Sequence, residues 1–382
     1  MNSWKQLLAL ASLPYVWLPV IILAVLPPPV APIGLAFLVF LALSLFVWTK
    51  TRHRRALRRQ MGDRQLLALT AWRLPEVATA MAIATVETSE GMPAREAFAY
   101  VNCSPETQFE IGSITKAITG MAAATAETGA IDLDCPAIEG LPFTFRELAT
   151  HRLGLPRLPD ARLALSRMIL LALLQLNPYR AIPDRVIRDA SHSSIERPPP
   201  ARYSNLGGAL AGIGLVQHRG TSVFVALRDT VLTPIGMNAT APTKQSRLEP
   251  GLIRGFGASG LPAAHWAMDG YLGAGGLAST AEDMTRLTGV LLAGKAPGVS
   301  SMVLVAEMSE RLHVGLFWMT SPIEIDDHEY AMHWHNGGTG GFSSMLAIIP
   351  ALGRGVVVMA NASGGIDPIA LDVLRDRKLW IR

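Results

Sequence analysis

Residues 7–48 contain a single ionisable side chain, Tyr15, in a run dominated by Leu, Val, Ile, Ala, Phe and Trp. A stretch of that length without charge needs a bilayer around it, or an unusually large protein interior. The cluster Pro27, Pro28, Pro29 and Pro32 divides it, and proline inside a helix costs about 3 kcal/mol or more, so one continuous helix is forbidden. Each half, 7–26 and 30–49, has the roughly 20 residues that a spanning helix requires. The pattern therefore predicts a two-helix transmembrane hairpin over residues 7–49, with Pro14 and Pro19 weakening the first span. A cleaved signal peptide fits poorly: the apolar run is too long, no clear small-residue cleavage site follows it, and a second span begins at once.

The chain has 382 residues, 50% of them hydrophobic and only 17% charged, which excludes a disordered polymer. After the apolar front, a little over 300 residues remain, about enough for one elaborate domain or two. The formal net charge of +4 owes much to one block, Lys50, Arg52, Arg54, Arg55, Arg58 and Arg59. In that position the block reads as an anchor to lipid head groups, and no nucleic-acid partner is expected. Only Lys5 is basic before the hairpin, so the positive-inside rule puts both ends of the hairpin, and the globular part, on the cytoplasmic side. Two cysteines, Cys103 and Cys135, supply neither a disulfide framework nor a metal cluster.

The organisation read along the chain is a transmembrane hairpin (1–50), a basic juxtamembrane linker helix (51–75) and a globular domain (76–382). Residues 52–74 have the spacing of a basic amphipathic helix ending at Pro75. Met81, Ile83 and Thr85 alternate in 79–87, and 97–101 is a second extended run, so the two predict a hairpin closed through Glu90-Gly91. A helix is expected from Ser113 to Gly129. Helical and loop segments dominate 132–327, including an apolar run at 163–176 that is too short to span a bilayer and reads as a buried core helix. The end is strand-like at 329–335, 342–349 and 355–361, with a closing helix at 366–381. Strands at both ends with helices between predict an α/β (α+β) fold: an antiparallel sheet flanked by helices, with an inserted, mainly helical region.

The segment Phe109-Glu110-Ile111-Gly112-Ser113-Ile114-Thr115-Lys116 carries the chemistry. Ser113 and Lys116 stand three apart at a helix start, so hydroxyl and amine share one face. A buried lysine loses its preference for the charged form, and a neutral amine can take the hydroxyl proton. The same spacing also fits a capping serine beside a surface lysine. Downstream come Tyr203-Ser204-Asn205 and then Trp334-His335-Asn336-Gly337-Gly338-Thr339-Gly340-Gly341-Phe342 at a strand-to-turn boundary.

In these motifs, in this order, the chain resembles the serine β-lactamase and penicillin-binding-protein superfamily in its class C branch, which includes esterases and D-amino-acid peptidases. Three further segments agree. Glu147 to Pro156 resembles the branch's LLTHTSGLP loop, Pro234-Ile235-Gly236-Met237 its PLGM turn, and Gly273 to Met284 its GGLxSTAxDM segment. The resemblance covers roughly residues 79–361 and implies a β-lactamase-like fold. It also implies Ser113 as the acylated nucleophile, Lys116 as its base, and Tyr203 as the group that assists proton transfer to the leaving group and from the deacylating water. Asn205 would orient Lys116 and the substrate, His335, Asn336 and Gly337 would line the substrate strand, and the backbone amides of Ser113 and Gly338 would form the oxyanion hole.

His335 departs from the Lys-Thr-Gly of many members. Histidine is mostly neutral at pH 7 and supplies no permanent charge for a substrate carboxylate, which favours a generic acyl hydrolase over a potent β-lactamase. No acid of the class A deacylating kind is assignable, in keeping with a route through Tyr203. No cofactor or metal is expected: Gly337 to Gly341 lacks the following Lys-Ser or Lys-Thr of a phosphate loop, and His333 and His335 have no ligand partner at metal spacing. His151 reads as structural, and Asp160, Asp184 and Asp189 as solvated. The expected protein is thus a serine hydrolase of the bacterial inner membrane acting on an ester or amide substrate, its oligomeric state open. A non-catalytic receptor for peptidoglycan fragments or a partner protein is the alternative. The membrane side stays in conflict, because charge points inward whereas the superfamily's cell-wall substrates lie outside.

Overall fold

The computed structural model describes residues 59–75, 77–89, 94–125, 131–157, 175–179, 201–243, 251–303 and 305–380, together with Ser44, Ile182 and Ile187. The hairpin expected over 7–49 lies outside the described residues apart from Ser44, as do the core helix expected at 163–176, except Gln175 and Leu176, and the three solvated aspartates. Among the described residues no helix is long and apolar enough to cross a membrane.

In chain order the elements are β1 (Gln60–Gly62), α1 (Arg64–Thr70), β2 (Met81–Glu87), β3 (Arg95–Val101), β4 (Phe109–Glu110), α2 (Ile114–Ala124), α3 (Phe145–Ala149), α4 (Asn205–Arg219), α5 (Val223–Leu227) and β5 (Ala241–Pro242). Then follow α6 (Leu272–Gly275), β6 (Leu277–Ser279), α7 (Ala281–Leu292), β7 (Ala306–Ser309), β8 (Leu312–Val314), β9 (Met319–Ile325) and β10 (His328–Gly338). The chain closes with β11 (Ser343–Ile349), β12 (Arg354–Ala360), α8 (Asp367–Arg375) and α9 (Arg377–Trp380). Nine of the described strands form one sheet in the order β1-β3-β2-β12-β11-β10-β9-β8-β7, and every pairing is antiparallel. A small sheet, β4-β6-β5, lies apart from it.

The two chain ends meet because β12 inserts between β2 and β11. Strand alternation then sorts the apolar residues into two cores. Ala82, Ala84, Leu346, Ile348, Val357 and Met359 face a large core with the buried residues of α2, α3, α4 and α7. Met81, Ile83, Met345, Ala347, Val356 and Val358 face the other, covered by α1, α8 and Trp380 of α9. Asn361, fully buried at the end of β12, locks the closure. Its Oδ1 accepts from the N–H groups of Thr79 (2.9 Å) and Ala80 (2.8 Å), and its Nδ2 donates to Thr79 Oγ1 and the Arg254 carbonyl, both at 2.8 Å.

Three expectations need correction. The continuous helix over 52–74 is absent from its described part, 59–74. Residues Gln60–Gly62 pair with β3, and Asp63 then caps the short α1 by accepting from the N–H groups of Gln65 and Leu66, both at 2.9 Å. This stretch therefore belongs to the sheet and its covering layer, with Leu66 and Leu74 buried. The region 132–327 also holds β5, β6, β7, β8 and β9, and the edge strand β7, Ala-Glu-Met-Ser, is half exposed and gives hydrophobic periodicity little to read. The closing helix at 366–381 is two helices, broken at Asp376. Cys103 and Cys135 are both free thiols; burial pushes the Cys103 thiol up to about 12, so it stays protonated.

Candidate active site

Ser113 stands at the N-terminal boundary of α2, but its side chain caps no backbone N–H of that helix. Its hydroxyl instead meets Lys116 Nζ at 3.0 Å. Lys116 is fully buried, which excludes a solvent-facing lysine. Its amine also lies 2.8 Å from Asn205 Oδ1 and 2.6 Å from the Ala274 carbonyl. Those two oxygens can only accept. A neutral amine would spend its two N–H groups on them and turn its lone pair to the Ser113 hydroxyl. Burial, and then the positive charge of Arg157, hold Lys116 well below the ordinary lysine range, in the direction that keeps this amine neutral.

The tripeptide Tyr203-Ser204-Asn205 works as a hinge into α4. Ser204 caps the helix by accepting from the Gly207 N–H at 2.9 Å, and its hydroxyl donates to the Pro156 carbonyl at 2.8 Å. That leaves its neighbours free to face the site. Tyr203 is hydrogen-bonded to Ser113, and its phenol is raised above the ordinary tyrosine value, chiefly by burial. Its ring centroid lies 4.9 Å from Lys116 Nζ. Asn205 is steered in turn by Tyr179, whose hydroxyl accepts from Asn205 Nδ2 at 2.6 Å.

The opposite wall is the end of β10. Gly112 has φ +49°, and a Cβ there would sit 2.8 Å from the Gly338 nitrogen, so the turn before Ser113 can lie against this strand only as glycine. A Cβ at Gly337 would lie 2.0 Å from the Ile111 carbonyl oxygen and 2.4 Å from Ser344 Oγ. These contacts fix how closely nucleophile and strand approach.

His335 is 1% exposed. Its Nδ1 lies 2.6 Å from the Asn336 carbonyl, which only accepts, so Nδ1 carries the proton and Nε2 presents a lone pair. Burial, and then the charge of Lys116, push its pKa down to about 3. The ring is therefore neutral, and the expected lack of a permanent charge at this position is stronger than the sequence implied. His151 is buried too, its ring 4.6 Å from that of Tyr203 and 5.4 Å from that of Phe317. The Ser204 N–H donates to its Nδ1 at 3.3 Å, in keeping with a supporting role. His333 Nδ1 pairs with Thr320 Oγ1 at 2.8 Å, and among the described residues no group of side chains could hold a metal.

Ser113, Tyr203, Asn205, Asn336, Gly337 and Gly338 thus line one cavity of about 400 Å³, with Lys116 and His335 buried beside it. Sequence reasoning missed four further participants. Arg157 and Tyr179 lie in the 157–200 stretch, whose chain path has no local signature. The Ala274 carbonyl is backbone, although its segment stood out. Asp367 also lines the cavity, but in sequence it is indistinguishable from any acid opening a helix.

The family model for Beta-lactamase matches residues 65–378, and the chain belongs to that family. Its members are serine acyl hydrolases. Among solved structures it is similar to a class C beta-lactamase at 17% identity and TM-score 0.63, covering 86% of this chain and 96% of that one. A D-stereospecific amidohydrolase from Streptomyces sp. is 18% identical with TM-score 0.63, over 86% of this chain and 99% of that one. A beta-lactamase from Sulfitobacter sp. EE-36 is 20% identical with TM-score 0.63, over 81% and 98% respectively. No curated protein matches the chain.

Proposed function

We propose that the protein is a membrane-anchored serine hydrolase that cleaves an ester or amide through an acyl-enzyme on Ser113. The observation that carries this reading is the fully buried Lys116 amine, 3.0 Å from the Ser113 hydroxyl and held by two oxygens that only accept. As Ser113 Oγ bonds to the acyl carbon, its proton passes to the Lys116 lone pair. The backbone N–H groups of Ser113 and Gly338 receive the oxyanion. Tyr203, kept protonated by burial, gives its proton to the leaving oxygen or nitrogen and is reprotonated from Lys116. Water then attacks the ester on Ser113, and the same groups return the protons in reverse order.

The neutral His335 supports an esterase, amidase or D-amino-acid peptidase over a potent β-lactamase. The anchor is proposed from the uncharged run at 7–48, in a bacterial inner membrane. Labelling with a fluorophosphonate, followed by mass mapping, tests the chemistry: an adduct on Ser113 supports it, and no adduct, or one that persists in Ser113→Ala, refutes it. Partition of the full chain into the membrane fraction, lost when residues 1–50 are removed, tests the anchor. Fusions of phosphatase or a fluorescent protein to the C-terminus decide the side.

A further inference from the structure

The cavity over Ser113 is lined by two side chains of opposite charge, Arg157 and Asp367, and among the described residues no ion pair joins either to a partner. They belong to different walls. Arg157 lies on the helical side, its guanidinium carbon 6.0 Å from the centre of the Tyr203 ring. Asp367 lies on the strand side, where its Oδ2 accepts from Asn336 Nδ2 of β10 at 2.8 Å.

An acid opening a helix has an ordinary explanation, because the helix dipole favours it there. Asp367 does open α8, yet its side-chain hydrogen bond runs sideways to Asn336, and it caps no N–H of its own helix. The bond to Asn336 occupies one carboxylate oxygen and orients the other relative to the cavity. Among the described residues lining the cavity the one cation is Arg157, on the opposite wall, and on the strand side His335 is neutral and buried. Trp266 adds an aromatic surface to the same cavity. Its ring packs over the β10–β11 turn, with Nε1 only 2.7 Å from where a Cβ of Gly340 would be. A fixed carboxylate and an indole facing one cavity form a chemical environment that attracts an ammonium group.

We propose that Asp367, oriented by Asn336 and accompanied by Trp266, selects ester or amide substrates that carry a cationic amine, and disfavours those with a carboxylate at that end. This inference rests on the acyl-enzyme reading and adds the substrate class.

The test compares rates at which the full-length protein is phosphonylated on Ser113 by three fluorophosphonates of equal length ending in an ammonium, a methyl or a carboxylate group. In each reaction Ser113 Oγ displaces fluoride from phosphorus and its proton passes to Lys116. At low ionic strength the ammonium probe is expected to react about tenfold faster than the methyl probe, and the carboxylate probe more slowly than either. Asp367→Asn brings the ammonium-to-methyl ratio to about one, while Asp367→Glu, which keeps the charge, retains a ratio above about three. The comparison is a ratio within each variant, so partial misfolding does not imitate the result. Labelling of Ser113 with no charge preference in the wild type, or an undiminished preference in Asp367→Asn, overturns this inference alone. No labelling by any probe overturns the acyl-enzyme reading, and this inference with it.

Discussion

Replacing Gly337 by alanine tests whether the close approach of strand β10 to the nucleophile turn sets the reaction geometry. The added Cβ would fall 2.0 Å from the Ile111 carbonyl oxygen and 2.4 Å from Ser344 Oγ, whereas real Cβ atoms essentially never come closer than 3.0 Å to such neighbours. Neither neighbour can yield easily. Ile111 is fully buried two residues before Ser113, and its carbonyl already accepts from Ser344 Oγ at 2.8 Å. Strand and turn must therefore separate by about 1 Å, and a displacement of that size at a reacting pair costs about 100-fold in rate. Overpacking of a dense interior adds about 1–3 kcal/mol of destabilisation, so the thermal midpoint should fall by only a few degrees. The assay is the second-order rate of fluorophosphonate labelling, measured beside the midpoint. A folded Gly337→Ala protein that labels within about threefold of wild type would refute the geometric argument.

Other outcomes follow from the same contacts. The rate should fall on acidification as Lys116 gains a proton and loses its lone pair. No alkaline fall from Tyr203 should appear below about pH 10, because burial raises that phenol above its ordinary value. Arg157→Gln removes a positive charge that disfavours protonated Lys116, so the acid limb should move to higher pH; a limb that stays put or moves down would contradict the assignment. Asn361→Leu would leave the backbone N–H groups of half-buried Thr79 and buried Ala80 without their acceptor, and should cost about 2 kcal/mol or more in urea unfolding, against less than about 1 kcal/mol if the chain-end closure did not depend on it.

Ser113 and Lys116 were legible as a pair because they share a helical turn, but that spacing also fitted a capping serine beside a surface lysine. Their roles, and those of Tyr203 and Asn205, were legible only through the resemblance of the ordered motifs, since nothing local ties Tyr203-Ser204-Asn205 to Ser113. The terminal strands were legible because each buries both faces, giving continuous apolar runs in 345–349 and 355–360. The short strands β7, at the sheet edge, and β8 beside it were not, because half-exposed residues in runs of three or four have no such pattern. Neither was the third partner of Lys116, since a backbone carbonyl at Ala274 has no side-chain identity to read. Asp367 and Arg157 enter the cavity from chain segments about 200 residues apart, joined only by the tertiary fold. Even the departure at His335 was half visible: the missing lysine showed in sequence, whereas the burial that pushes the imidazole to about 3 did not.

The most direct test of the whole account is the mass of the peptide containing Ser113 after reaction with a fluorophosphonate at neutral pH. The account predicts one adduct, located on Ser113, absent in Ser113→Ala and reduced at least about 1,000-fold in rate in Lys116→Met. An unmodified Ser113 peptide, or an adduct formed at an undiminished rate without the Lys116 amine, would contradict it.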